Sequence, residues 1–170
     1  LRDLFLGSEG AFGIITEVTL RVHVLPEERA LATFAFETMH DALEAVRSIL
    51  RAGWRPPVLR ASERAETGRH FSTWTTGDRC FLVVVSEGPG SLVAAEATAC
   101  ARTCEAVGGT AVGAEPAAHW LEGRNKVPTW DFFLDREMLA DTIEVGATWD
   151  RIDRIYETVV GALAGAPGVI

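Results

Sequence analysis

Cys80-Phe81-Leu82-Val83-Val84-Val85 is an unbroken apolar run of strand length, and the lack of alternation predicts a strand covered on both faces. Its neighbours along the chain say what covers it. Downstream, Ser91 caps an Ala-rich helix that ends at Gly108-Gly109, and Thr110-Ala111-Val112 returns as a short strand. Upstream, Ala30, Ala32, Phe34 and Phe36 alternate with Leu31, Thr33, Ala35 and Glu37, giving a strand with one strongly apolar face. Thr38 then caps a helix with Leu43, Val46 and Leu50 on one stripe and Gly53 at its C-terminal end. Between the two units, Trp54-Arg55-Pro56-Pro57-Val58-Leu59-Arg60 suits an edge strand, because proline has no amide hydrogen to give a ladder. Ser62 to Asp78 reads as polar and irregular. The order β-α-β-β-α-β predicts an α+β domain of ferredoxin-like type, an antiparallel sheet with helices on one face.

Beyond that core, Glu115-Pro116 starts a helix carrying His119, Trp120, Leu121 and Arg124, since proline is tolerated in a first turn. Asn125 to Leu139 is aromatic-rich. Thr142-Ile143-Glu144-Val145 reads as a short strand, and Thr148 as the cap of a helix with Ile152, Ile155, Tyr156, Val159 and Leu163 on one stripe. Gly165 and Pro167 stop it.

Toward the start, Gly7, Gly10 and Gly13 recur every third residue in a loop that runs into Val18, Leu20, Val22 and Val24, alternating with polar residues as a half-buried strand does. A dinucleotide fingerprint needs a helix after its glycines, so the nicotinamide-type Rossmann reading is excluded. Two readings stay open for the loop: a surface that touches a ligand through its backbone, or a tight β-connection. Leu25-Pro26-Glu27-Glu28-Arg29 is a polar connection that places a domain boundary near Pro26.

A net charge of −8, with arginines scattered among acids, argues against nucleic acid or an anionic membrane as partner and favours a small molecule. No apolar run reaches the length of a membrane span, and no charged-then-apolar leader is present, so the expectation is a soluble piece whose localisation is unreadable. The start at Leu1, inside a loop, reads as the interior of a longer protein. Three cysteines are an odd count; Cys100 and Cys104, one helical turn apart in an Ala-rich helix, read as small core residues, with no metal spacing around them. The histidines His23, His40, His70 and His119 are isolated, and only His70, sharing a loop with Trp74, is placed to face a ligand. Arg60 and Arg124 carry two readings: surface salt bridges, or guanidinium groups offered to a carboxylate or phosphate, Arg124 being steadied by Trp120 and Trp130.

Asp3-Leu4-Phe5-Leu6-Gly7-Ser8-Glu9-Gly10-Ala11-Phe12-Gly13-Ile14-Ile15-Thr16-Glu17 resembles the segment that closes the FAD-binding domain of flavoprotein oxidases of the vanillyl-alcohol oxidase type, with Ala11 and Phe12 in Thr-Leu places. The resemblance implies that Gly7, Ser8, Glu9, Gly10, Ala11, Phe12, Gly13, Ile14 and Ile15 lie along FAD. It further implies that residues 1–25 end the FAD-binding domain and residues 26–170 form an incomplete substrate-side cap domain. Asp141 to Arg151 is similar to the Glu-Thr-(Ser/Ala)-Ala-x-Trp-Asp-Arg segment of alkyldihydroxyacetonephosphate synthases, flavoenzymes of ether-lipid synthesis. Pro56-Pro57-Val58-Leu59-Arg60 is similar to their Pro-Ala-Ser-Ile-Arg, and Gly123-Arg124-Asn125 falls near their Gln-Arg-Gly at a shorter spacing. By that resemblance Arg60 matches an arginine required for activity and Arg124 one that binds substrate phosphate. The implied reaction exchanges an acyl group for a fatty alcohol on a dihydroxyacetone phosphate ester, the flavin undergoing no net redox change. The family's catalytic tyrosine and histidine cluster and its pyrophosphate loops match nothing in this sequence, so the piece alone is expected to be inactive. The alternatives are an FAD-dependent oxidase or dehydrogenase of a 2-hydroxy acid such as lactate or glycolate, and a non-catalytic ferredoxin-like ligand-binding module. A homodimer of the full-length protein is compatible with any of the enzyme readings.

Overall fold

Phe34 and Phe36 from one strand and Leu82 and Val84 from its neighbour all point to the same side of a four-stranded sheet, and that shared side is where packing begins. The computed structural model describes residues 2–139, 142 and 144–164. Its strands are β1 (Glu28–Phe36), β2 (Val58–Ser62), β3 (Cys80–Gly88) and β4 (Thr110–Gly113), in spatial order β2-β3-β1-β4 and antiparallel at every pairing. This is the ferredoxin-like α+β arrangement that the strand and helix order predicts. A register shift in the β1–β4 pairing falls between Thr33 and Phe34.

The central strand β3 is buried from Cys80 to Ser86, as its unbroken apolar run requires. Each of its large side chains removed from water contributes about 1.5–3 kcal/mol. Helices α2 (Met39–Arg51) and α4 (Gly90–Ala106) cover one face, pressing Ala42, Ala45, Ile49, Cys100 and Cys104 onto the phenylalanines. Thr38 caps α2 by accepting from the Asp41 amide at 3.1 Å, and Gly53 beyond its end takes φ +94°. The expectation of helices on one face only is corrected here, because the opposite face also carries them: α3 (Arg64–His70) and α5 (Glu115–Gly123) enclose Phe71, Phe81, Val83, Val85 and Ala117. Two cores thus share one sheet.

Several local expectations are corrected. The segment Ser62 to Asp78 is not irregular throughout, because Glu63 uses its carboxylate to accept from the Glu66 and Ala65 amides at 2.6 and 2.9 Å and starts α3. Helix α4 begins at Gly90 behind Pro89, with no side-chain cap from Ser91. The buried stripe of α2 is Ala42, Ala45 and Ile49, one position away from Leu43 and Leu50. Leu43 instead lines a small crevice with Trp149 and Ile152, where helix α7 (Ile152–Ala164) approaches α2 and His40 Nδ1 meets Asp153 Oδ2 at 3.0 Å.

The residues Val18, Leu20, Val22 and Val24 form no strand, and Val24 is 95% exposed. A strand exists only when a neighbour takes up its amides and carbonyls, and among the described residues none does. Glu144 and Val145 likewise carry no regular structure, while Asp141, Ile143, Gly165 and Pro167 lie outside the described residues. Thr148 does begin the turn into α7, its carbonyl accepting from Arg151 at 2.9 Å and Ile152 at 3.2 Å, but no residue of α7 is buried. The remaining helices are the four-residue α1 (Arg2–Phe5) and α6 (Trp130–Leu134).

Candidate functional site

Residues directly opposite one another on antiparallel strands share a face of the sheet, so the pairing of Arg60 with Val83 sends Arg60 to the side covered by α3 and α5. There it stands at the sheet edge, in the middle of β2. The single residue Glu63 separates β2 from α3, and this tight connection returns Glu66 opposite Arg60, where Arg60 Nη2 donates to Glu66 Oε1 at 2.6 Å. From the other side, α5 presents Trp120, with the guanidinium carbon of Arg60 5.7 Å from the ring centroid. Arg124, one helical turn after Trp120, places its own guanidinium carbon 5.7 Å from the same ring. Two cations thus converge on one indole, an arrangement that steadies both without consuming all of their hydrogen-bond donors.

The cleft so formed has a volume of about 380 Å³, and His70, His119 and Lys126 join Arg60 and Arg124 in its wall. Glu66 is the one acid among its lining residues. In a chain of net charge −8 this is a local concentration of basic side chains, with guanidinium donors available to an anion. The apolar floor comes from Phe71, which packs on Phe81 with centroids 5.4 Å apart. His119 is wedged between Phe71 at 6.4 Å and Trp74 at 5.3 Å. Arg60 also lines a second, open cleft of about 800 Å³ with Met39, Glu144 and Gly146, so it stands on the ridge between two concavities.

The glycine loop has the backbone its sequence requires. Gly7 and Gly10 take φ +81° and +84°, Glu9 takes φ +50°, and Ala11 donates to the Ser8 carbonyl at 2.8 Å. Leu6, Ser8, Ile14 and Ile15 line an open hollow of about 390 Å³ together with the glycines. Phe12 stands edge-on to Phe5 at 6.4 Å. A Cβ built at Gly7 or Gly10 meets nothing within 4 Å, so each glycine leaves bare backbone facing open space, beside exposed Ile14 and Ile15. That combination of close-approach backbone and uncovered apolar side chains fits a flat ring system such as an isoalloxazine.

Of the residues singled out from sequence, the structure brings Arg60, Arg124, Trp120 and His70 into one cleft. Trp130 is not part of it: that ring is largely exposed and packs on Phe133 at 6.3 Å. Trp74 supports His119 and not His70. Sequence reasoning missed Glu66, His119 and Lys126. The i, i+4 spacing Glu66–His70 carries a signal for Glu66, but it is visible only once residues 64–70 are read as a helix.

Among the described residues no helix is long and apolar enough to cross a membrane, and no group of three or more His, Cys, Asp and Glu could hold a metal ion. The family described as FAD linked oxidases, C-terminal domain, matches residues 25–166. The chain is 25% identical over 181 residues to the alkyldihydroxyacetonephosphate synthase of Dictyostelium discoideum, covering 92% of this chain and 30% of that protein. A probable mitochondrial D-lactate dehydrogenase of Danio rerio is 43% identical over 60 residues, 35% of this chain and 12% of the relative. A solved structure of alkyldihydroxyacetonephosphate synthase superposes with TM-score 0.77 at 23% identity, covering 95% of this chain and 35% of that one, which bears on the fold alone. The chain therefore spans about a third of the length of the synthases it matches, and it belongs to the family of FAD linked oxidases, C-terminal domain.

Proposed function

We propose that the protein containing this chain is an FAD-dependent enzyme that seats a substrate with an anionic head group on Arg60 and Arg124, in the manner of an alkyldihydroxyacetonephosphate synthase. The observation that carries the reading is the convergence of both guanidinium groups on the Trp120 ring, in a cleft with one acid and several bases. A phosphate presents several oxygens to two such forks, and each charge-assisted contact is worth about 1.5–3 kcal/mol. Residues 7–15 would hold the flavin by backbone contact, residues 1–25 belonging to the FAD-binding domain and residues 26–170 to the cap. Bound FAD would supply the reactive centre for the substrate carbon. The chain's own residues orient the substrate: the arginines anchor its head group, and Phe71 and Trp120 exclude water from one wall of the cleft.

A second reading, oxidation of a 2-hydroxy acid, draws support from the short stretch of stronger identity to a D-lactate dehydrogenase. There the arginines would hold a carboxylate. In the complete protein the two separate cleanly: the first reading expects ether-lipid product from acyl dihydroxyacetone phosphate and fatty alcohol. Anaerobic bleaching of the flavin by lactate or glycolate without such product favours the second. Either way, Arg60→Lys is expected to lower kcat/KM by roughly ten- to hundredfold while FAD occupancy stays intact, because a lysine cannot reproduce the planar fork. Wild-type kcat/KM in that variant would return Arg60 to a surface ion pair.

A further inference from the structure

The ion pair between Arg60 and Glu66 lines the cleft and stays partly open to solvent. Its side chains are 46% and 31% exposed, and the same guanidinium also rests against Trp120. Two contacts from two different elements therefore hold Arg60 in place, one from α3 and one from α5. The charged groups that face it in this cleft are Glu66 on α3 together with Arg124 and Lys126 at and beyond the end of α5, with His70 and His119 alongside, while Glu144 faces it from the adjoining cleft. Lys126 is itself paired with Glu122 at 3.2 Å, but that pair is exposed on both sides and screened by solvent. Glu66 is thus the carboxylate an incoming anion meets.

From this geometry we propose that Glu66 is the resident counter-ion of the cleft: it orients Arg60 against Trp120 and, by competing for that guanidinium, sets how tightly an anionic head group binds. The proposal rests on reading the cleft as the head-group site. An anion approaching Arg60 gains the donors that Glu66 has not taken, and it is repelled by the Glu66 carboxylate in proportion to its own charge. Glu66 therefore attenuates a dianion more than a monoanion, which limits retention of a phosphate-bearing product. The amide cap of α3 is supplied by the Glu63 carboxylate, so what the helix loses with the Glu66 charge is only the favourable placement of an acid in its first turn.

The test uses the complete flavoprotein and titration calorimetry with inorganic phosphate and with acetate as probes. Glu66→Gln keeps the length and an acceptor oxygen for Arg60 Nη2 but removes the charge. It is expected to tighten phosphate binding by roughly tenfold and acetate binding by less, with the flavin spectrum unchanged. Glu66→Ala shifts phosphate in the same direction, and KM for the substrate falls in both variants. A loss of folding or packing would weaken binding, so tightening is the signature of lost competition. Phosphate affinity that is unchanged or weaker in Glu66→Gln, while Arg60→Ala abolishes it, overturns the role of Glu66 and leaves the head-group reading standing. Phosphate that binds Arg60→Ala as well as wild type, or binds neither wild type nor Glu66→Gln, overturns both.

Discussion

Trp120 is the residue around which the candidate site is assembled, since its ring meets both Arg60 from the sheet edge and Arg124 from the end of α5. Its ring accepts two cations at equal distance. The glycine loop obeys a different residue-scale rule, backbone conformation alone. Gly10 has open space around a built Cβ, yet its φ of +84° is costly for any other residue and most of all for a β-branched one. Gly10→Val combined with Gly13→Val is therefore expected to leave the cap domain folded, with its thermal transition displaced little, while FAD occupancy of the complete protein falls. Full flavin loading in the double variant, read from the absorbance ratio of flavin to protein, would remove the close-contact role assigned to residues 7–15.

At the scale of elements, the join between α4 and β4 is closely packed. Gly109 donates its amide to the Cys104 carbonyl at 2.9 Å, and a Cβ there would lie 2.8 Å from that same oxygen and 2.7 Å from the ring of Phe36. Neither neighbour has room, because Phe36 is fully buried and the carbonyl closes the helix. Gly109→Ala is expected to destabilise by about 1–3 kcal/mol, as overpacking does. At Gly108 a Cβ meets nothing and only the φ of +88° is strained, so Gly108→Ala should cost about 1 kcal/mol. Urea midpoints of the two alanine variants check the order, and equal losses would show that the Phe36 contact yields freely. The same scale explains α3. Its seven residues are too short to be stable by propensity, and they hold as a helix through the Glu63 cap and the packing of Thr67 and Phe71 beneath them.

For the molecule as a whole, the two cores on either side of the sheet differ in what they contain. The α2–α4 side buries three thiols; burial pushes Cys100 up to about 11 and Cys104 up to about 12 from the ordinary 9.0, and raises Cys80 as well. The folded state thus keeps these thiols protonated at pH values where the unfolded chain has released them. Stability from this source is complete below pH 9 and is lost as pH rises toward 11–12. Urea unfolding at pH 8 and pH 10 should show the decline, and Cys100→Ala with Cys104→Ala should flatten it. A pH dependence unchanged in the double variant would place the alkaline sensitivity elsewhere. The α3–α5 side contains no thiol among the buried residues and opens at its rim into the cleft lined by Arg60 and Arg124.

By itself the sequence determined the sheet. The unbroken run at Cys80–Val85, the alternation at Ala30–Phe36, the Thr38 cap and the prolines before Val58 each express a local rule that the surrounding chain does not override, and together they specify a ferredoxin-like order. It also singled out Arg60 and Arg124, through polarity and resemblance, without the means to say that they meet. Three things were decided only in three dimensions. Residues 64–70 become helical because Glu63 turns back to cap them and because the second face of the sheet needs a cover, neither of which is a periodic signal. Val18 to Val24 alternates like a strand yet pairs with nothing among the described residues, since alternation records which face is to be covered and not whether a partner is present. The arginine cleft itself depends on a register, the pairing of Arg60 with Val83, that carries Arg60 to the side where α5 holds Trp120 and Arg124. Register is a relation between distant segments, and a contact between residues sixty positions apart leaves no trace in the local order of either.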